Sequence, residues 1–384
     1  MHYLTNRHYL LLLLSLAFAQ CKCHVQPDYD TTRAELIWSN QPQTLATTDF
    51  TLPAEGLTCF VPGNAQGQDA TYFLSVCGKA WQFTQEQDGT LTVKTLPRLQ
   101  PFDKAAAFVF AAGTAAHTDL YFGQISHPPA YAYQLSKYDN VQVDLKKYDG
   151  TQWHKQNSQS LMVATPYGQS LMPIAPSSQP NTFPCTGCTF RKGTALWGCC
   201  MLPVAYTTSA GNAPAYASGC FVFDPMAQAF VPCMPTLLLS KTNTQRLVTG
   251  LELEEPGKLV FLEDKVADST PVLAITGDLP QELPLKIHNP FSAHQDWASF
   301  SLCIDQDLSV IMPIFTSTSG NLRHFYQVDK TASRLEPVKS TSVNLPGDSL
   351  VLPFANCVYV LTKATDSQAG DIVYYKGECR VSTT

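Results

Sequence analysis

Apolar residues in this chain recur in short runs that follow a period of two rather than 3.6. Val, Phe, Tyr, Leu and Thr fill the runs, and Gly, Pro, Asn and Asp cluster between them. Branched and aromatic side chains fit a pleated, half-buried surface, so the runs predict β-strands. No stretch keeps a helical apolar period for three turns. The 27 prolines are spread throughout. Each removes a backbone N–H and clashes with the preceding helical turn, which excludes long helices.

The strands pair off as hairpins. Residues 80–83 turn at Asp88-Gly89, return as 90–93 and stop at Leu96-Pro97. Residues 131–135 turn near Asp139-Asn140 and return as 141–143. Residues 220–223 turn at Asp224-Pro225 and return as 229–231. Residues 259–262, 325–329 and 357–361 return as 272–275, 334–338 and 372–375. The gap around 160–200 has room for one more such unit.

A repeat of about 40 to 50 residues built on an aromatic hairpin is the size of a four-stranded propeller blade. One small sheet cannot bury both of its faces; stacking sheets around an axis covers them and leaves only short edges. The expected fold class is therefore all-β: a β-propeller of about seven blades, or six, stapled by disulfides. A β-sandwich or two stacked β-domains is the alternative. The phrase Phe221-Val222-Phe223-Asp224-Pro225, followed by Phe230 and Pro232, resembles the outer strands of kelch-like β-propellers. The double glycine of kelch blades does not occur in the chain.

The first 19 residues change the chemical setting. Arg7 and His8 precede an apolar run holding Leu10 to Leu14, and the run ends at Ala17-Phe18-Ala19. That is the pattern of a cleaved secretory leader. Cys21 follows it closely, but Gln20 is not the small residue that lipoprotein cleavage needs. The expected organisation is a signal peptide over 1–19, an N-terminal extension over 20–56 and a propeller-like domain over 57–384. The expected location is extracellular.

Charged residues make up only 15% of the chain and the net charge is -6, where soluble domains average about 25% charged. No basic block is present, which argues against nucleic-acid binding. The longest later apolar stretch, 105–116, is too short to cross a bilayer. No Asn-x-Ser/Thr acceptor occurs, so N-glycosylation is not expected.

An exported chain meets an oxidising compartment, where its 13 cysteines read as a disulfide framework. The candidates are Cys59, Cys77, Cys185, Cys188, Cys199, Cys200, Cys220, Cys233, Cys303, Cys357 and Cys379. Hairpin geometry suggests Cys59 with Cys77, Cys220 with Cys233, and Cys357 with Cys379. The odd number leaves one over. Cys21 or Cys23, near the mature N-terminus, is the candidate for an unpaired thiol or an interchain bridge that makes a disulfide-linked dimer. Cys185-x-x-Cys188 with Cys199-Cys200 has the ligands for zinc, but adjacent cysteines on a strand face opposite ways, and no metal or other cofactor is expected.

No nucleophile elbow, zinc helix, P-loop or EF-hand loop is present. Residues 148–153 hold Asp149 and Trp153 in an order that resembles the aspartate box of sialidase-like propellers, which there braces a turn. Weak catalytic candidates are His288 and His294, which flank a polar loop, and Asp305 and Asp307, which repeat at strand spacing. Paired carboxylates are what glycoside hydrolysis needs. The expected function is a secreted, non-enzymatic binding or structural protein that presents loops to a protein or glycan. The alternative is a glycan-active hydrolase that uses those carboxylates.

Overall fold

The computed structural model describes residues 33–46, 49–52, 56–99, 107–114, 117–126, 139–163, 171–173, 186–192, 194–207, 214–240, 245–252, 259–265, 270–276, 281–284, 297–304, 311–317, 323–329, 334–337, 339–340, 349–355, 357–364 and 371–382. Every regular element among them is a strand, and no helix there is long and apolar enough to cross a membrane. The signal segment and Cys21, Cys23 and Cys185 lie outside the described residues, as do His288, His294, Asp305 and Asp307.

The fold is an all-β propeller. The first sheet runs Gly56–Val61, Ala70–Ser75, Ala80–Gln85, Leu91–Leu96, each antiparallel to the next. A ten-stranded sheet follows and contains two blade-like groups. One starts at Ala107–Thr114 and continues through His117–Ser126 and Asp139–Tyr148; the other runs Thr186–Lys192, Ala195–Thr207, Pro214–Asp224, Ala229–Ser240. The two are joined through the single pair Leu196 and Gly113. Two four-stranded sheets then begin at Gln245–Glu252 and Trp297–Ile304, and the last group runs Leu350–Phe354, Cys357–Lys363, Ile372–Ser382. The leading strands pack in a closed ring. Gly56–Val61 touches Ala107–Thr114, which touches Thr186–Lys192. From there the contacts pass through Gln245–Glu252 and Trp297–Ile304 to Leu350–Phe354, and so back to Gly56–Val61.

The ring is closed by pairing an early strand with the last one. Arg33–Trp38 pairs antiparallel with Ile372–Ser382, with Leu36 opposite Cys379. Residues 33–38 thus belong to the last sheet, although they fall in the segment read as an extension before the domain. Leu45, Phe50 and Leu52 from the same segment are buried between the last sheet and the first.

The core lies between blades rather than within one. Phe108, Phe110, Tyr121, Phe221 and Phe223 fill one interface. Tyr72, Leu74, Val109, Phe122 and Tyr148 fill the next, and Phe73, Trp81, Phe83, Tyr359 and Tyr374 a third. This explains the Ala-rich run at 105–116. Ala107–Thr114 is a leading strand covered on both faces, buried from Ala107 to Ala112, so its apolar residues do not alternate with polar ones. At Gly198 the ring of Phe110 lies where a Cβ would stand, only 1.9 Å from its ideal position. Glycine there lets the aromatic lie flat on the neighbouring strand.

Register corrects two of the expected disulfides. Cys59 stands opposite Tyr72, and Cys77 lies beyond that strand in the turn before Ala80–Gln85, where it is a free, exposed thiol. Cys357 stands opposite Glu378. Directly opposed residues share a face and chain neighbours alternate, so Cys379 points away from Cys357. The strands that carry Cys220 and Cys233 pair as a hairpin. Both cysteines adjoin the Phe221–Pro232 pair, at the step where the ladder bulges. Cys188 and Cys199 are Cα partners, and Cys200 partners Gly187. Cys303 stands opposite Met312.

Candidate functional site

Polar side chains collect where three turns of the first two blades meet. Thr118 donates its N–H to the carbonyl of Gly63 at 3.2 Å, tying the second blade to the turn after Gly56–Val61. Gly150, at φ +97°, comes close to Ala65 of that same turn. A hydrogen-bonded cluster sits here. Asp119 is buried, with Oδ1 2.7 Å from His117 Nε2 and Oδ2 3.3 Å from Lys147 Nζ. Asn64 Nδ2 donates to the hydroxyl of Tyr72 at 3.2 Å. Burial drives the phenols of Tyr72 and Tyr121 above the usual range, and the Asp119 charge adds to the effect.

The turn at residues 149–152 is built on one carboxylate. Asp149 Oδ1 accepts from the N–H and hydroxyl of Thr151 (2.8 and 2.7 Å) and from the N–H of Gln152 (2.8 Å). Its Oδ2 lies 2.6 Å from His154 Nε2. These donors, the Gln152 N–H first, hold the carboxyl well below the ordinary carboxylate range. Trp153 packs on Tyr148 at 5.1 Å and donates Nε1–H to Pro97 O at 3.0 Å. The aspartate and tryptophan singled out from the sequence thus brace a turn.

A histidine held by a buried carboxylate has the form of a general-base pair. No hydroxyl or thiol among the described residues is hydrogen-bonded to His117. The described residues also contain no cluster of three or more His, Cys, Asp or Glu that could hold a metal ion. Cys200 is fully buried among Phe108, Phe110 and Phe221.

A second polar site is open. A pocket of about 430 Å³ is lined by Asp49, Thr51, Lys79, Trp81, Thr95, Leu96 and Arg98. The antiparallel ladder explains the grouping, since Trp81 stands opposite Thr95 and Ala80 opposite Leu96. Lys79 enters from the preceding turn and Arg98 from just past the last strand. Arg98 is anchored by Nη2 to the carbonyl of Cys77 at 3.0 Å. Phe50 packs edge-on against Trp81 at 5.1 Å, and Phe73 stacks on it at 5.9 Å, fixing the indole as the floor. Trp81 is 4% exposed, and its Nε1 has no acceptor among the described residues. No carboxylate among them pairs with Lys79. Beside the pocket, the Ser75 hydroxyl lies 3.0 Å from Cys77 Sγ and pulls that exposed thiol below its ordinary pKa, helped by the Lys79 backbone.

Trp81 lies in the hairpin strand marked in the sequence at 80–83, and it is buried. Asp49, Lys79, Arg98 and the His117–Asp119 pair carried no motif. One signal was available for the pair: His117 and Asp119 repeat at strand spacing, which sets them on one face.

No protein-family model matches this chain, and no curated protein matches it. Solved structures do. A lectin of Aleuria aurantia in complex with Fucα1-6GlcNAc is 10% identical with a TM-score of 0.46, over 86% of this chain and 97% of that one. A member of the DUF4221 family from Bacteroides vulgatus is 11% identical with a TM-score of 0.45, over 91% and 99%. The periplasmic gluconolactonase of Pseudomonas aeruginosa is 10% identical with a TM-score of 0.41, over 86% and 88%. At these identities the chemistry of this chain rests on its own residues.

Proposed function

We propose that this chain is a secreted, non-enzymatic binding protein, a six-bladed propeller that takes a glycan in the Trp81 pocket. The pocket is the observation that carries the reading. Asp49, Thr51 and Thr95 offer acceptors, and Lys79 and Arg98 offer donors, around an open hollow above a fixed indole. Hydroxyl-rich ligands need such a mixture of acceptors and donors on a preformed surface. By contrast, the His117–Asp119–Lys147 cluster has its charges already paired within the protein.

The leader supports export, and oxidation in that compartment would bridge cysteines that the ladder places side by side. Cys188 with Cys199, which are Cα partners, fits that requirement, and Cys220 and Cys233 flank the bulge beside the Phe221–Pro232 pair. A bridge through Cys21 or Cys23 would link two copies.

Titration of the mature chain against a panel of defined oligosaccharides tests the reading. Saturable binding that weakens in Thr51→Val and in Thr95→Val is the expected result. Absence of binding to every oligosaccharide would overturn it. Release of reducing ends from a bound polysaccharide, lost in Asp305→Asn with Asp307→Asn, would overturn the non-enzymatic part.

A further inference from the structure

Within that glycan-binding reading, we infer that the pocket selects an anionic glycan, one bearing a carboxylate or a sulfate ester. The chain as a whole is acidic, with net charge -6. The pocket reverses that sign. It gathers two cations, Lys79 and Arg98, around one carboxylate, Asp49. The cations are also available. Lys79 pairs with no carboxylate among the described residues. Arg98 gives Nη2 to a backbone carbonyl, a contact that aims the guanidinium without neutralising it. Anchoring one edge of a planar fork leaves the other N–H groups for a bidentate acceptor, which a carboxylate or sulfate provides.

The surroundings add selectivity of a second kind. The threonine hydroxyls of Thr51 and Thr95 are neutral and exposed. They suit sugar hydroxyls and do not compete with the cations for the acid group. Asp49 stands on the same lining and disfavours a second negative charge nearby. The expected ligand therefore carries one acid group per recognised residue, flanked by free hydroxyls, rather than a densely charged polyanion.

Calorimetric titration at about 50 mM salt tests this, with three probes: an oligogalacturonate for the carboxylate, a singly sulfated galactan oligosaccharide for the sulfate, and a neutral galactan oligosaccharide of equal length. One acidic probe should bind at least about tenfold more tightly than the neutral one, since a charged hydrogen bond is worth about 1.5–3 kcal/mol. Which acidic probe binds identifies the acid group. Lys79→Gln and Arg98→Gln should each remove most of that preference, and raising the salt should weaken it. Equal affinity for neutral and acidic probes, or a preference unchanged by both substitutions, would overturn the inference and leave glycan binding standing. Absence of binding to all three probes would overturn the inference, and glycan binding itself would fall only if every oligosaccharide of the wider panel also failed to bind.

Discussion

The cluster around Asp119 and the pocket around Trp81 are both polar, both involve the first blade, and differ in one respect. In the cluster each charge is answered from within: Asp119 by His117 and Lys147, and Asp149 by His154 and its own turn. In the pocket Lys79 is answered by no carboxylate among the described residues, and the Trp81 N–H by no acceptor there. A satisfied network holds blades together. Donors left over on a hollow surface are free to meet a ligand. The comparison gives a criterion for structural against functional polarity that can be tested by removing one group at a time.

The largest effect should come from Asp119→Ala. It removes a buried carboxylate and leaves Lys147 without its counter-charge and His117 without its hydrogen-bond partner. The expected loss is about 2–3 kcal/mol in urea unfolding. A loss below about 0.5 kcal/mol would mean that the cluster does not hold the blades, and the contrast would fail.

Asp149→Ala should cost less, because the turn is at the surface and water replaces part of what is lost. Its pH signature is sharper. The carboxyl is held below the ordinary range in the fold, so its contribution is fully present above the unfolded carboxylate value, near 4. It is lost as the pH falls further toward the folded value. Acid titration of the wild type should therefore show a fall in stability below about pH 4 that is shallower in Asp149→Asn. Parallel acid limbs in the two proteins would remove the brace from the account.

Much of this fold is readable along the chain. The hairpins at 80–96, 220–231, 259–276, 325–337 and 357–375 follow from alternation and turn residues, and each is present. The gap at 160–200 holds the strands Thr186–Lys192 and Ala195–Thr207. What was hidden is what depends on distance along the sequence. Arg33–Trp38 completes a sheet with residues more than 300 positions away, and no local pattern announces that. Disulfide partners are hidden for the same reason. A shift of one residue in register decides whether Cys357 and Cys379 share a face, and hydrophobic spacing does not fix that shift at a sheet's end. The pocket is the extreme case, since Asp49, Lys79 and Arg98 come from three separate connections.

Lys79→Gln should leave stability within about 0.5 kcal/mol of wild type, as surface changes away from a paired network usually do. Set against Asp119→Ala, it separates the two kinds of polar residue directly. A Lys79→Gln protein as unstable as Asp119→Ala would show that the lysine serves the fold instead.

The smallest effect is on rate rather than stability, and it extends the comparison to sulfur. Cys77 is exposed at the pocket's side, with its thiol drawn below the ordinary value by Ser75. Cys357 is buried between the first and last sheets, donates to Gln85 Oε1 at 3.3 Å, and is pushed up to about 12 chiefly by burial. The thiolate is the reacting form, so iodoacetamide at neutral pH should alkylate Cys77 in the folded protein well before Cys357. Ser75→Ala should slow the Cys77 reaction and shift its pH profile upward, while Cys357 reacts only once the blades separate. Peptide mass mapping over a time course reads both. Equal labelling of the two cysteines in the folded protein would mean that the seam between first and last sheets opens freely. The ring closure through Arg33–Trp38 would then not hold that seam shut.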